Sequence, residues 1–310
     1  SNTVIMKKLD IALMAMCCGW QLATAQIDVL SITPLPETQG KGFYHPTFSP
    51  TGDYLLLTGA NFKGLTKYDL SSGQMTRLTD VENAGYYPQI SDGGKVVVFR
   101  EVEYKKNRRF TSIKSINLEN GKVSRIDKAS RQLYPFTFVG GTLRIAKGKS
   151  IKSKRLATDM RTPVEESLIV AIEDRSLVLY QGNKRIVLNP NGDGSYIWPS
   201  ISPDNKHIVY MALHDGCNTF VCDLDGKNKV NLGYLGAPVW LGNDWIVGMV
   251  DIDDGHQTIS STLKAARIDG SLRQDLPTPD TKIAMYPAAS TDAVAYEANG
   301  QIYVMKLRVR

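Results

Sequence analysis

Between Asp251 and His256 the chain reads D-I-D-D-G-H, three carboxylates and an imidazole within six residues. Donors at that density could hold a divalent cation, with Asp251, Asp253, Asp254 and His256 as ligands. The spacing departs from an EF-hand loop, in which glycine is sixth, because Gly255 is fifth here. An internal comparison offers the other reading: His214-Asp215-Gly216 lines up with Asp253-Asp254-Gly255, and a shared Asp-Gly is what a tight hairpin needs. The hairpin is the preferred reading, a metal ion stays open beside it, and no other cofactor is expected.

Two basic clusters form a second candidate. Lys105, Lys106, Arg108 and Arg109 crowd into five residues, and Lys147, Lys149, Lys152, Lys154 and Arg155 follow about forty residues later. Both clusters fall near the connection after the second strand of their copies and are expected to share one face, where they suit an anionic partner or are solvated loop charges. The third candidate is aromatic. His45, Tyr87, Tyr134, Trp198 and Tyr286 each stand immediately before a proline. Rings in such a series could stack on sugars or grip a peptide, or could serve packing alone.

Catalytic constellations are not legible. There is no G-x-S-x-G nucleophile elbow, and His45, His207, His214 and His256 fall on no zinc spacing such as H-E-x-x-H. Catalysis is therefore not the expected activity.

The prolines explain how these residues are positioned. Pro46, Pro88, Pro135, Pro199, Pro238 and Pro287 are separated by 42, 47, 64, 39 and 49 residues. Close copies run Y-H-P-T-F-S-P-T-G-D-Y-L-L-L from Tyr44, Y-Y-P-Q-I-S-D-G-G-K-V-V-V-F from Tyr86 and I-W-P-S-I-S-P-D-N-K-H-I-V-Y from Ile197. Each copy continues through a polar turn, a β-branched strand, a second turn and two further strands joined by S-S-G, E-N-G, L-D-G or I-D-G. Proline cannot donate to a ladder, so it fits a strand whose outer side is unpaired, as the innermost strand of a blade is. The expected fold is all-β, a six-bladed β-propeller of four-stranded antiparallel blades. After Tyr286 there is room for about three strands, and Ile27 to Ile32 is the expected source of the fourth, tying the chain ends together. The 64-residue step is assigned to an insertion or long loop over residues 147–166 of the third blade.

On these residues the chain resembles the TolB-type propeller repeat, a relative of WD repeats. The repeat's pattern is roughly P-x-x-S-P-D-G-x-x-I-x-F, then I-Y-x-x-D-L and L-T, and its second half is matched at Tyr68-Asp69-Leu70 with Leu78-Thr79, and at Cys222-Asp223-Leu224 with Leu232. The resemblance runs from about Tyr44 to Leu307. It implies a periplasmic binding protein with partners in the outer-membrane and peptidoglycan system. Full TolB-type proteins carry an N-terminal α/β domain, whereas fewer than 20 residues separate Gln26 from Tyr44, so only propeller-mediated contacts are expected. Oligogalacturonide lyases resemble the same repeat, which gives the alternative of a propeller that binds or degrades acidic polysaccharide. The histidines here fall on no motif of that class.

Met6-Lys7-Lys8, the apolar run from Ile11 to Cys18 and Ala23-Thr24-Ala25 read as a signal peptide cleaved after Ala25. Lipidation at Cys17 or Cys18 is the weaker route, because Met16 or Cys17 would occupy a position that wants a small residue. Residues 1–25 are thus signal and upstream residues, and residues 26–310 one propeller domain. The formal charge of +6 falls to +5 when Lys7, Lys8 and Asp10 leave with the signal. Cys217 and Cys222 are expected in one strand on opposite faces, as two buried free thiols. The expected partner is a protein or a cell-envelope polymer, bound by a monomer on one loop face. Nucleic acid is not expected.

Overall fold

The computed structural model describes residues 26–158 and 166–310. The signal peptide and the lipidation alternative lie outside the described residues. Apart from two single-turn 3-10 segments, Pro36–Thr38 and Ala60–Phe62, the described secondary structure is β-strand.

Seven antiparallel sheets follow one another along the chain. In chain order they span residues 44–79, 89–130, 136–155, 168–187, 196–231, 236–276 and 285–309, and are called sheets one to seven. Sheets three and four have three strands and the rest four. The fourth strand of sheet seven is Ile27–Leu35, which pairs with the last strand, Gln301–Val309, from Ile27 opposite Val309 to Leu35 opposite Ile302. This is the closure expected from the sequence. Thr38 accepts the Ile302 N–H at 2.9 Å, and Arg310 holds Asp28 through Nε and Nη2 at 3.0 and 2.7 Å.

Burial explains the order. Alternate residues of a strand face opposite sides, so each inner strand presents one apolar row to the preceding sheet and one to the following. Seven apolar clusters result, each at the junction of two consecutive sheets, with the last joining sheet seven to sheet one. The first strands of neighbouring sheets touch across five of these junctions. Polar staples reinforce them: the Tyr54 O–H donates to Gly94 O at 2.7 Å, and Trp240 Nε1 donates to Ser200 O at 3.3 Å.

The expected count of six is corrected to seven sheets among the described residues. The additional one is sheet four, Leu168–Glu173, Ser176–Gln181 and Lys184–Val187, inside the 64-residue step. It lacks the aromatic-proline opening, and its first hairpin turns on Asp174 and Arg175 at positive φ rather than on glycine. Part of the segment expected as a long loop is strand: Ser150–Arg155 is the third strand of sheet three; residues 159–165 lie outside the described residues. Cys217 also differs from expectation, lying exposed in a turn at φ 53° before the strand that buries Cys222. Both thiols are free, and burial pushes that of Cys222 up to about 12.

Candidate functional site

The residue before five of the six repeated prolines has an unusual backbone. His45, Tyr87, Trp198, Ala237 and Tyr286 all adopt φ between 46° and 50°. Non-glycine residues avoid this region, and here the ladder to the second strand skips register at four of the five: between Tyr44 and Thr47, Ile197 and Ser200, Gly236 and Val239, and Met285 and Ala288. Each bulge aims the side chain preceding the proline out of the pleat. Tyr134, before Pro135, lacks the positive φ and packs against the cluster between sheets two and three.

Register also places these residues at the end of the second strand. Tyr44 lies opposite Thr58, Ile197 opposite Met211, Gly236 opposite Met249 and Met285 opposite Glu297. The equivalent residues in sheets two and three are Arg100 and Lys147, each twelve residues after its proline, like Thr58 and Met211. The aromatic positions therefore share a face with the hairpins that join second to third strands.

On one arc of that face the side chains meet. The rings of Tyr286 and His45 are 4.3 Å apart, His45 stacks on Phe62 at 4.7 Å, Phe62 meets Tyr86 edge-on at 5.4 Å, and Tyr86 meets Tyr87 at 4.8 Å. Gly85 makes this possible, since a Cβ there would lie 1.9 Å from Thr58 Oγ1. Trp198, and Tyr286 in addition to its contact with His45, pack against the cluster between sheets six and seven, so the packing reading holds for part of the series. Tyr87 remains 53% exposed, yet desolvation by the surrounding protein pushes its phenol up to about 12.

Charge is distributed unevenly along the arc. The His45 N–H donates to Glu297 Oε2 at 2.9 Å, while burial raises the Glu297 carboxyl to about 7 and lowers the His45 imidazole. The Tyr234 O–H donates to Asp251 Oδ1 at 2.5 Å, and both Glu297 and Asp251 push the Tyr286 phenol upward after burial itself. At the other end Arg100, 5% exposed, donates to the carbonyls of Tyr86 and Tyr134 at 3.1 and 3.0 Å and stands 4.2 Å from the Phe136 ring centre. Burial lowers its guanidinium to about 10, leaving it charged at neutral pH. Lys147 pairs with Asp127 at 2.5 Å and lies 5.0 Å over the Tyr134 ring.

The basic candidates separate. Lys105, Lys106, Arg108 and Arg109 cap the hairpin between Val96–Lys105 and Arg108–Asn117, two ten-residue strands that project on the aromatic face. Lys152 stands near the turn of sheet three, whereas Lys154 and Arg155 pair with Leu143 and Thr142 at the opposite end of that sheet. The acidic stretch takes its hairpin role. Asp254 Oδ1 accepts the N–H groups of His256 and Gln257 at 2.9 Å each, and Asp253 Oδ1 accepts that of Gly255 at 2.5 Å. Among the described residues no three His, Cys, Asp or Glu side chains are grouped to hold a metal ion. His214 is structural, accepting the Ser195 N–H at Nδ1 and donating from Nε2 to Asn191 O at 3.0 Å.

Glu297, Arg100, Phe62 and Tyr86 escaped the sequence reading. The available signal was a charge following an apolar run, V-V-V-F-R and V-A-Y-E, ten to twelve residues after the repeated proline.

With this geometry in view, comparison with solved structures defines the fold as a β-propeller. The β-propeller domain of the Trilobed protease from Pyrococcus furiosus matches with a TM-score of 0.56 at 13% identity, over 86% of this chain and 96% of that one. That domain is described as having an open velcro topology, whereas here the first and last strands are hydrogen-bonded. TolB from Acinetobacter baumannii gives 0.52 at 15% identity over 79% of this chain, and the match spans 56% of that protein's length. The tricorn protease gives 0.53 at 16% identity over 88% of this chain and 25% of that one. No family model and no curated protein matches the sequence. Among the described residues no helix is long and apolar enough to cross a membrane.

Proposed function

We propose that this chain is an exported, non-catalytic binding propeller of the cell envelope that docks a protein or polymer on the face carrying the second-to-third-strand hairpins. The observation that carries the reading is the set of five positive-φ residues before prolines, four of them aromatic or histidine, on that one face. Strained backbone kept in five sheets is costly at about 1–2 kcal/mol each, and display of the side chains is a reason to keep it. Likeness to TolB supports an envelope partner only as far as shared fold allows.

The test is capture from an envelope extract by the full chain, by a Tyr87→Ala/Phe62→Ala variant and by a Lys122→Glu variant on the opposite face. Loss of a specific partner in the first variant alone is expected. Equal capture by all three would refute the assignment of the face.

The projecting hairpin favours a second reading, an acidic polysaccharide as the polymer. Of its four cations, only Lys105 has an ion-pair partner among the described residues, Glu103 at 3.6 Å. Under this reading charge reversal at Arg108 and Arg109 removes binding to acidic oligosaccharides, and reversal at Lys154 and Arg155, on the far end of their sheet, does not.

A further inference from the structure

Three charged side chains occupy equivalent positions around the mouth: Arg100, Lys147 and Glu297. Two of them are provided for within the fold. Arg100 places both terminal nitrogens on carbonyls, and Lys147 has Asp127. Glu297 has a single backbone N–H, from His45, and no cation among the described residues offsets its loss of water. The groups around it do not supply one. From sheet one comes His45, whose imidazole burial shifts toward its neutral form; from its own sheet comes Tyr286; and from sheet six, beyond Tyr286, comes the like-charged Asp251. Arg100 lies two sheets away, past the Phe62 and Tyr86 rings.

A half-buried carboxylate without a counter-ion, held by the backbone of His45 beside the run of rings Tyr286, His45 and Phe62, has the chemistry that receives an organic cation. The carboxylate supplies the charge, and the rings offer their negative faces to a weakly hydrated ammonium or guanidinium group. Resting on the binding role proposed above, we propose that Glu297, with the rings of His45, Phe62 and Tyr286, forms a subsite for a lysine or arginine side chain of a docked polypeptide. The subsite explains why the mouth carries an acid here while sheets five and six carry Met211 and Met249 at the equivalent position.

The test uses the ¹⁵N-labelled full chain and two peptides, acetyl-Gly-Lys-Gly-amide and its norleucine isostere, titrated by NMR at millimolar concentration. The His45 amide, hydrogen-bonded to Glu297, is the local reporter. The lysine peptide is expected to bind at least about tenfold more tightly than the norleucine peptide. Its affinity should rise about tenfold from pH 6 to pH 8 as Glu297 ionises, and both differences should vanish in Glu297→Gln, which keeps an acceptor for the His45 N–H. A thermal melt of that variant matching or exceeding wild type shows that the fold is intact. Equal binding of the two peptides, no shift of the His45 amide with either, or an unchanged pH profile in Glu297→Gln overturns the cation subsite. Partner capture that survives Glu297→Gln but fails in the Tyr87→Ala/Phe62→Ala variant would overturn the subsite and leave the docking face standing.

Discussion

Where sheet six meets sheet seven, fifteen buried apolar residues from Ile27 to Leu307 form one cluster, with Trp198, Ala237 and Tyr286 packed on its edge. Where sheet three meets sheet four, the corresponding cluster holds four, Ala146, Ile169, Val178 and Tyr180. The second junction also contains Arg144, which shares a strand face with Ala146, is 7% exposed and has no acceptor for its Nε–H. The sheets pack in sequence through every junction, yet one junction is far denser and one far sparser than the other five. The aromatic chain from Tyr286 to Tyr87 and the acid at Glu297 lie on sheets seven, one and two, beside the dense junction. Glu297 and Tyr286 thus stand on the sheet that borders the densest junction, while the rest of the aromatic chain crosses junctions of ordinary size.

The strongest way to break this contrast is to open the dense side. Deleting residues 26–35 removes the outer strand of sheet seven, Ile27 from the core and the Asp28 partner of Arg310. The truncated chain is expected to lose its cooperative thermal transition and near-UV circular dichroism. A truncated chain that melts at the wild-type temperature would show that the ring does not depend on this strand.

A matched pair of substitutions sharpens the comparison. Val294 and Val178 are both fully buried, the first in the dense cluster and the second in the sparse one. Truncation to alanine removes the same atoms, so the difference reports how far each site can relax around the gap. Val294→Ala should cost about 2 kcal/mol and Val178→Ala about 1 kcal/mol in chemical denaturation. Equal costs would mean the two junctions are equally rigid despite their unequal cores.

Much of this asymmetry was beyond the sequence for identifiable reasons. Six sheets announce themselves because a proline opens each inner strand, and the pairing of Ile27–Leu35 with the last strand was legible from a shortage of strands after Tyr286. Sheet four has neither proline nor ring at its start, so its hairpins merged into an apparent insertion. The aromatic candidates were legible from their prolines. Their neighbours Phe62 and Glu297 were not, because a turn residue and a strand end acquire meaning only when sheets one and seven are brought together. The basic residues show the converse error: Lys154 and Arg155 are close to Lys152 in sequence, but strand direction carries them to the other face.

The carboxyl at the heart of the proposed subsite gives a smaller effect with a definite sign. Glu297 has its folded pKa raised to about 7 from an ordinary value of 4.5, so the native state binds the proton more tightly than the unfolded chain. Stability is then full below about pH 4.5 and declines as pH rises toward 7, the reverse of a salt-bridged acid. Glu297→Gln removes that decline. It should stabilise the chain by on the order of 2 kcal/mol at pH 8 and leave it unchanged at pH 4. Urea denaturation at the two pH values measures this, and a variant less stable than wild type at pH 8 would show that the ionised carboxylate is already well compensated within the fold.

The smallest effect isolates the cost of the bulges from the side chains they display. Ala237 adopts the same left-handed backbone as His45, Tyr87, Trp198 and Tyr286, at φ 46°, but has only a methyl group to present. Its strain serves the register skip between Gly236 and Val239. Glycine visits this region freely, so Ala237→Gly should raise stability by about 1 kcal/mol, set against a small entropic loss in the unfolded chain. At Tyr286 the same exchange relieves the same strain but removes a ring from the cluster between sheets six and seven and from contact with His45, so it should destabilise. If Ala237→Gly destabilises as well, the left-handed residue is relaxed by its setting, and strain gives no reason for the aromatic side chains to be there.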